Sequence, residues 1–350
     1  MAKVTIIGAG AMGSALTVPL IDNGHQVRLW GTELDTEIIE AVRKGQPHPK
    51  HKHCIPSQVL TYTVSELEQA ATEADLIIMA ITSEALGKIF KRVLPYIKPG
   101  MIVGTVSKGF EYGVDGDIII LPDLLESLLP LNLRPEVRFV AVGGPCKATE
   151  LLWRTPTGVT YASKDIQAAQ YMRKLLLTNE YRIEVTTDVI GTEACAALKN
   201  AYAVGLGMAE GFRQKQGLPF NNTKSALFTY AIREMKSLSL ALGGTIHPVY
   251  GFPGIGDLEV TGEAGRNRML GEVIGGGLTA SQAIAKMQAE QITVEGYPAI
   301  RFGYNLAKQL ARDGKLALKE IPLLEGLYNV LYQDAEAFTT MGSVIRKYTS

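Results

Sequence analysis

The first half of the chain alternates short apolar runs with amphipathic stretches. Residues 4–8, 27–30, 76–80, 102–106, 138–142, 158–162 and 183–186 are brief and rich in Val, Ile and other apolar side chains, which predicts strands. Between them 36–44, 65–74, 84–94 and 165–177 carry helical spacing. The first of these helices stops at Gly45, and the second opens on Ser65-Glu66-Leu67-Glu68, a capping-box pattern. Strands alternating with helices make βαβ units, so the expected fold is α/β, a doubly wound and mostly parallel sheet. After Gly191 the strand signals nearly vanish, and helical spacing runs through 191–215, 224–242, 266–275, 279–290, 297–313 and 322–332. An all-helical second domain is expected there. No clear linker marks the boundary, and the change of pattern places it near residue 190, giving domains 1–190 and 191–350.

Length agrees with two domains, since 350 residues exceed the size at which one core usually stops growing. Lys and Arg number 35 and so do Asp and Glu; with no summed charge, nucleic acid is not an expected partner. Cys54, Cys146 and Cys195 are odd in number and widely spaced, which fits neither a disulfide framework nor a zinc site and predicts a reducing, cytoplasmic setting. The uncharged run from Val4 to Ile21 has the look of a membrane span or signal peptide. Gly8, Gly10, Gly13 and Pro19 interrupt it and a strand follows, so it reads as strand, turn and helix, with no membrane insertion and no targeting segment. The tract Gln46-Pro47-His48-Pro49-Lys50-His51-Lys52-His53 lacks the Cys or carboxylate partners of a metal site and reads as a solvated loop; no metal is expected.

Candidate chemistry begins at Gly8-Ala9-Gly10-Ala11-Met12-Gly13. This G-x-G-x-x-G follows a strand and opens a helix, where bare backbone N–H groups approach a pyrophosphate, so a dinucleotide site is expected rather than a mere tight turn. The second strand ends at Trp30-Gly31-Thr32-Glu33; Glu33 either holds a ribose hydroxyl or is solvated. Lys108 and Gly144 follow strands, at the end of an open sheet where ligands bind, although position alone leaves Lys108 equally an exposed loop lysine. Between Glu193 and Glu210 lie sixteen residues, rich in Ala and Gly, whose one charged side chain is Lys199. An ammonium buried there is expensive unless paired, and desolvation favours the neutral amine of a general base. Asn200 adds a polar group beside it, and a snorkelling edge lysine is the plainer alternative. Three glycines within Gly251-Phe252-Pro253-Gly254-Ile255-Gly256 let backbone close around something small, and Asp257 is the candidate counter-ion of Lys199. Arg266 and Asn267 open a helix, a candidate phosphate clamp or else an Arg-rich surface turn.

Taken together, Gly8 to Gly13, Ser107-Lys108-Gly109, Gly144-Pro145, Leu198-Lys199-Asn200, Gly256-Asp257-Leu258, Thr261, Arg266-Asn267-Arg268 and Val294-Glu295-Gly296 make the chain resemble the NAD(P)-dependent glycerol-3-phosphate dehydrogenases from Lys3 to about Tyr332. The resemblance implies a Rossmann domain followed by a helical domain. It also implies a homodimer and a cytoplasmic enzyme that interconverts dihydroxyacetone phosphate and sn-glycerol 3-phosphate and supplies phospholipid synthesis. By the same resemblance Lys199 would be the general base or acid, Asp257 would tune it, and Asn200 would complete the catalytic group. Lys108, Gly144, Ala148, Thr261, Arg266 and Asn267 would contact substrate. Gly8, Gly10, Ala11, Met12, Gly13, Thr32, Glu33, Lys108, Ala148, Arg266 and Glu295 would contact NAD or NADP. Departures from the usual bacterial pattern are Cys146-Lys147 after Pro145, Gly262 and Gly265 in place of Cys and Ser, and Thr32 where an Arg is common. Because Gly31-Thr32 leaves room for a 2′-phosphate, use of both cofactors with a lean to NADPH is expected. The rivals are a ketopantoate or hydroxyacid reductase, against which Arg266-Asn267 argues, and a non-catalytic dinucleotide sensor, which has no need of Lys199 with Asp257.

Overall fold

The computed structural model describes residues 1–349. Contacts divide the chain into two compact units, Met1–Lys108 with Ile120–Val189, and Gly109–Ile119 with Ile190–Ser350. The segment Gly109–Ile119 thus departs from the stretch 1–190 in which its sequence position places it.

Among the described residues ten strands form in chain order: β1 (Lys3–Ile7), β2 (Gln26–Trp30), β3 (Leu60–Tyr62), β4 (Leu76–Met79), β5 (Ile102–Thr105), β6 (Phe110–Tyr112), β7 (Ile118–Ile120), β8 (Arg138–Gly143), β9 (Thr157–Ala162) and β10 (Tyr181–Thr186). Eight of them make one sheet in the order β10-β9-β8-β5-β4-β1-β2-β3. All its pairings are parallel except β8 with β9. The order reverses at β1, which lies between β2 and β4; open α/β sheets bind ligands at the carboxyl ends of such strands. Side-chain alternation gives the sheet two apolar faces. Ile6, Leu29 and Ile78 join one core, while Ile7, Ile77 and Met79 join the other, so both faces are covered by helices and the strands read as nearly continuous apolar runs.

Strands β3, β6 and β7 were not expected. The last two form a hairpin around Asp115-Gly116, with Gly116 at φ 83°, the left-handed backbone such a turn requires. The capping box also shifts by two residues. Glu66 Oε2 accepts from Thr63 N at 2.6 Å and Thr63 Oγ1 at 2.7 Å, so the box is Thr63/Glu66 rather than Ser65/Glu68, and the helix it opens ends at Ala71.

The helical unit is built on Val189–Gln216, a 28-residue helix buried through its middle. Its small residues are there for close approach. A Cβ on Gly207 would meet Arg268 O at 2.1 Å and one on Gly211 would meet Glu272 O at 2.2 Å. From the facing helix Arg266–Gly275, Cβ atoms on Gly271 and Gly275 would meet Val204 O at 1.9 Å and Met208 O at 2.2 Å. Glycines four apart share one helix face, so two Gly faces bring the backbones together. Asn221–Ala241 contributes Glu234, fully buried, whose carboxylate accepts from Leu323 N, Leu324 N, Tyr202 Oη and Tyr348 Oη at 2.5 to 3.0 Å. These bonds join Val189–Gln216, Pro322–Tyr332 and the last helix Ala337–Thr349, which the periodicity did not predict, to one buried acid.

Candidate active site

The nucleotide turn shows why each glycine of its motif is needed. Gly8 ends β1 at φ 107°, and a Cβ there would lie 2.5 Å from Ala80 O at the end of β4. A Cβ on Gly13 would lie 2.0 Å from Gly8 O, so the helix Ala11–Asp22 can start this close to the strand only without a side chain. Around a Gly10 Cβ nothing lies within 4 Å: this is the open side of the turn, where a pyrophosphate would approach. Gly10 is the helix N-cap without a side-chain cap, the first turn carries no acid, and Gly10, Ala11 and Met12 are only half-buried. The geometry and the dipole both suit an anion, so the residues present fit the phosphates of a dinucleotide.

At the end of β2 one acidic side chain is exposed and another is buried. Glu33 is directed away to Arg92, at 2.9 Å, and is largely exposed; Arg92 itself stacks 5.0 Å from the Trp30 ring. The buried carboxylate of this turn is Asp35. Its Oδ2 accepts from Thr32 N at 2.9 Å, Thr32 Oγ1 at 2.8 Å and Ala9 N at 3.3 Å. Asp35 stands at the N-cap position of Thr36–Arg43 yet makes no cap bond, having turned back to tie Thr32 to the glycine turn. The expected solvated loop is also corrected here. Lys50, Lys52 and His53 are exposed, but His48 and His51 are buried, because their rings hydrogen-bond the carbonyls of Ala9 (3.3 Å) and Ala11 (2.9 Å). On the other side of the sheet's switch point, Lys108 Nζ donates to Gly144 O at 3.3 Å, with Gly144 at φ 128°. Ala148 begins the short helix Ala148–Leu152 and packs on the core of the sheet unit.

In the helical unit Lys199 is 8% exposed and Asp257 2% exposed. Nζ of Lys199 donates to Asp257 Oδ1 at 2.9 Å and to Thr261 Oγ1 at 2.8 Å. The buried ammonium therefore has the partners that burial demands. Asp257 follows a π-helical turn, Phe252–Gly256, of the kind that recurs at functional sites. Within that turn Gly254 is occupied with packing, since its Cβ would meet Val249 O at 2.1 Å; it does not close around a ligand. Gly262, which departs from the usual pattern, has a steric reason: a Cβ there would meet Leu206 Cδ1 at 2.5 Å.

A second chain of bonds runs beside the first. Asn200 Nδ2 donates to Glu295 Oε2 at 3.2 Å, and Asn267 Nδ2 donates to Asn200 Oδ1 at 2.9 Å. Asn267 Oδ1 in turn accepts from Gly296 N at 2.8 Å. The Asn267 amide, read from sequence as part of a phosphate clamp, is thus 7% exposed and bonded at both ends within the protein. Arg266 is different: half its side chain is exposed, and Nη2 lies 3.6 Å from Glu295 Oε1. Sequence reasoning missed Asp35, Arg92, His48 and His51. Among the described residues no group of three or more His, Cys, Asp or Glu is arranged to hold a metal, and no helix is long and apolar enough to cross a membrane.

Comparison with known proteins adds the following. Residues 3–169 match the family model described as NAD-dependent glycerol-3-phosphate dehydrogenase N-terminus, and residues 188–341 match the model for its C-terminus. A relative from Archaeoglobus fulgidus, named NADP(+)-dependent glycerol-3-phosphate dehydrogenase, is 36% identical over 94% of this chain and 95% of its own. A Bacillus velezensis relative named glycerol-3-phosphate dehydrogenase [NAD(P)+] is 32% identical over 99% of this chain and 95% of its own. The crystal structure of the glycerol-3-phosphate dehydrogenase from Coxiella burnetii shares the fold, with a TM-score of 0.83, 24% identity and 98% of both chains covered.

Proposed function

The chain belongs to the NAD-dependent glycerol-3-phosphate dehydrogenase family, and from that premise we propose that it interconverts dihydroxyacetone phosphate and sn-glycerol 3-phosphate with NAD(P)H. The observation that carries this reading is Lys199, the one charged side chain between Glu193 and Glu210 of the long helix, held by Asp257 and Thr261 with Asn200 beside it. A bound nicotinamide supplies the hydride for reduction and accepts it in oxidation. Gly8, Gly10, Ala11, Met12 and Gly13 would hold its pyrophosphate. Lys199 takes the C2 hydroxyl proton during oxidation and returns it during reduction. Asp257 and Thr261 fix the direction of Nζ, and the second N–H of the Asn200 amide meets the developing oxyanion.

Arg266, half-exposed at a helix N-terminus, reads the substrate phosphate. Thr261, Lys108, Gly144 and Ala148 complete the substrate contacts, Asn267 acts through Asn200 and the Gly296 amide, and Glu295 contacts cofactor. Thr32 is small and Glu33 is turned to Arg92, which supports use of both cofactors with a lean to NADPH. The enzyme acts as a cytoplasmic homodimer that supplies phospholipid synthesis. Purified protein given NADPH or NADH with dihydroxyacetone phosphate should consume the reduced nicotinamide, visible as falling absorbance. Turnover of ketopantoate with none of dihydroxyacetone phosphate would assign the chain to the rival reductases, and no turnover of either would leave a sensor.

A further inference from the structure

The carbonyls of the nucleotide turn need partners that a ligand bound to its N–H side does not supply. A Gly-rich turn is also conformationally loose, and a loose turn orders only at the expense of binding. In this chain Ser14 Oγ donates to Ala9 O at 2.9 Å, and two buried histidines add one partner each to Ala9 O and Ala11 O. His48 Nε2 lies 3.3 Å from Ala9 O, and His51 Nε2 lies 2.9 Å from Ala11 O. The tautomer of His48 is fixed by its other nitrogen: Nδ1 accepts from Lys50 N at 3.1 Å and His51 N at 3.4 Å, so the ring is neutral and its proton is on Nε2, facing Ala9 O. His51 Nδ1 lies 3.2 Å from Thr149 Oγ1, which links the loop to the helix after Gly144. The two peptides that flank the Ala9 Cα are consequently both held, the Gly8–Ala9 unit at its N–H by Asp35 and the Ala9–Gly10 unit at its C=O by His48 and Ser14 Oγ.

We propose that His48 and His51 are positioning residues for the dinucleotide: as neutral rings they hold the carbonyls of the pyrophosphate turn so that its N–H groups face the ligand, and acid loosens the loop that places them. The inference rests on the nucleotide reading of that turn. It gives chemistry to a tract that as sequence looks like a polar loop. A second proton on His48 would put an N–H against the N–H groups of Lys50 and His51 and break the loop's own bonds. The surroundings oppose that proton. Burial lowers the affinity of both rings for it, with Lys50 adding to the effect on each and the two rings opposing one another at His48. The bonds to Ala9 O and Ala11 O work the other way, as Asp35 does on His48, and His53 adds to the lowering at His51. The turn 8–11 brings no titratable side chain, and the helix Ala148–Leu152 brings Glu150, which sits 3.8 Å from Lys147. Both rings thus favour the neutral form in the folded protein. Their contribution is complete above the ordinary histidine pKa of 6.5 and is lost as pH falls below it.

The test is direct binding, read by the fluorescence of NADH and NADPH on the full chain. At pH 7.5 His48→Leu should weaken both nucleotides by a similar factor, on the order of three- to tenfold for a buried carbonyl that loses one of its two donors and keeps Ser14 Oγ. His48→Gln, which keeps an amide N–H for Ala9 O and does not titrate, should bind within about threefold of wild type. Wild-type affinity for NADH should fall severalfold between pH 7.5 and 5.5, and His48→Gln should fall less. NADH serves for the pH series because the extra phosphate of NADPH ionises near pH 6 on its own account, with a second pKa of about 6. A His48→Leu loss confined to NADPH would overturn the proposal, since the loop would then be reading the 2′-phosphate. So would unchanged binding in His48→Leu, or a wild-type NADH affinity indifferent to pH. Should His48→Leu not fold, His48→Gln and the pH series decide alone. Wild-type protein that binds neither nucleotide at pH 7.5 would instead remove the nucleotide reading itself.

Discussion

The two ligand-bearing regions are made in opposite ways. The nucleotide turn is backbone: what matters at Gly8, Gly10 and Gly13 is the absence of a side chain, and the polar side chains around it serve to hold main-chain atoms. The Lys199 region is side chain: an ammonium, two carboxylates, a hydroxyl and two amides from separated segments are joined in two chains of bonds of 2.8 to 3.2 Å. A backbone site fails most sharply with an added methyl group at the wrong glycine, and side chains near it matter through the main-chain atoms they hold. A side-chain site tolerates bulk at its margins but not the loss of one functional group.

The contrast can be broken most severely at Lys199. Removing a positioned general base should lower kcat by about 10² to 10⁴ in Lys199→Ala, and a loss under about tenfold with the fold intact would refute the assignment. Oxidation of glycerol 3-phosphate should rise with pH through one ionisation in the wild type and lack it in the variant. Next comes Arg266→Ala. A lost charge-assisted contact of roughly 1.5 to 3 kcal/mol should raise KM for dihydroxyacetone phosphate about ten- to a hundredfold. Equal damage toward phosphate-free dihydroxyacetone would show that Arg266 does not read the phosphate.

In the turn, Gly10→Ala should fold normally, because its Cβ meets nothing within 4 Å, yet raise KM for the nucleotide on the order of tenfold by placing a methyl where the pyrophosphate approaches. Gly13→Ala should instead lose stability, by about 1 to 3 kcal/mol, since its Cβ would meet Gly8 O at 2.0 Å. Thermal melts beside the kinetics separate the two cases. A smaller effect is expected from Thr32→Asp, a few-fold shift of kcat/KM toward NADH through repulsion of a 2′-phosphate. A wild type favouring NADH tenfold or more, with no change in Thr32→Asp, would mean that Glu33 already binds the ribose. The smallest effect is expected at the buried acid Glu234. Burial pushes Glu234 up to about 7 against the hydrogen bonds that lower it, so the folded state holds its proton more tightly than the unfolded chain. Its stabilising contribution is full below pH 4.5 and is lost as pH rises through 7. Glu234→Gln should flatten the decline of melting temperature across that window, and an unchanged slope would count against it.

How much of this was legible in the sequence follows from the same contrast. A backbone turn is local, so Gly8 to Gly13 with its flanking strand and helix could be read directly, as could the strands of the buried sheet other than the edge strand β3. Lys199 was visible for another reason, a lone charge in a run of small apolar residues. Asp257 lies 58 residues further on, and only folding shows that it and Thr261 both face Nζ. Asp35, His48 and His51 left no periodic signal, because their partners are backbone atoms of a turn some 26 to 40 positions earlier. Asn267 was misjudged for the converse reason: its place beside Arg266 suggested a clamp, while its buried amide is already bonded to Asn200 and Gly296. The capping box was ambiguous at the outset, since Thr63-Val64-Ser65-Glu66 and Ser65-Glu66-Leu67-Glu68 both fit the pattern and only the first forms.

The most direct test of the division between a backbone site for nucleotide and a side-chain site for chemistry is a single-turnover measurement of hydride transfer from glycerol 3-phosphate. It is made across a range of nucleotide concentrations in Lys199→Ala and Gly10→Ala side by side. Lys199→Ala should half-saturate at nearly the wild-type nucleotide concentration and transfer hydride about 10² to 10⁴ times more slowly, whereas Gly10→Ala should need roughly ten times more nucleotide and then react at close to the wild-type rate. A Lys199→Ala enzyme that loses nucleotide affinity while keeping its rate at saturation would contradict the account.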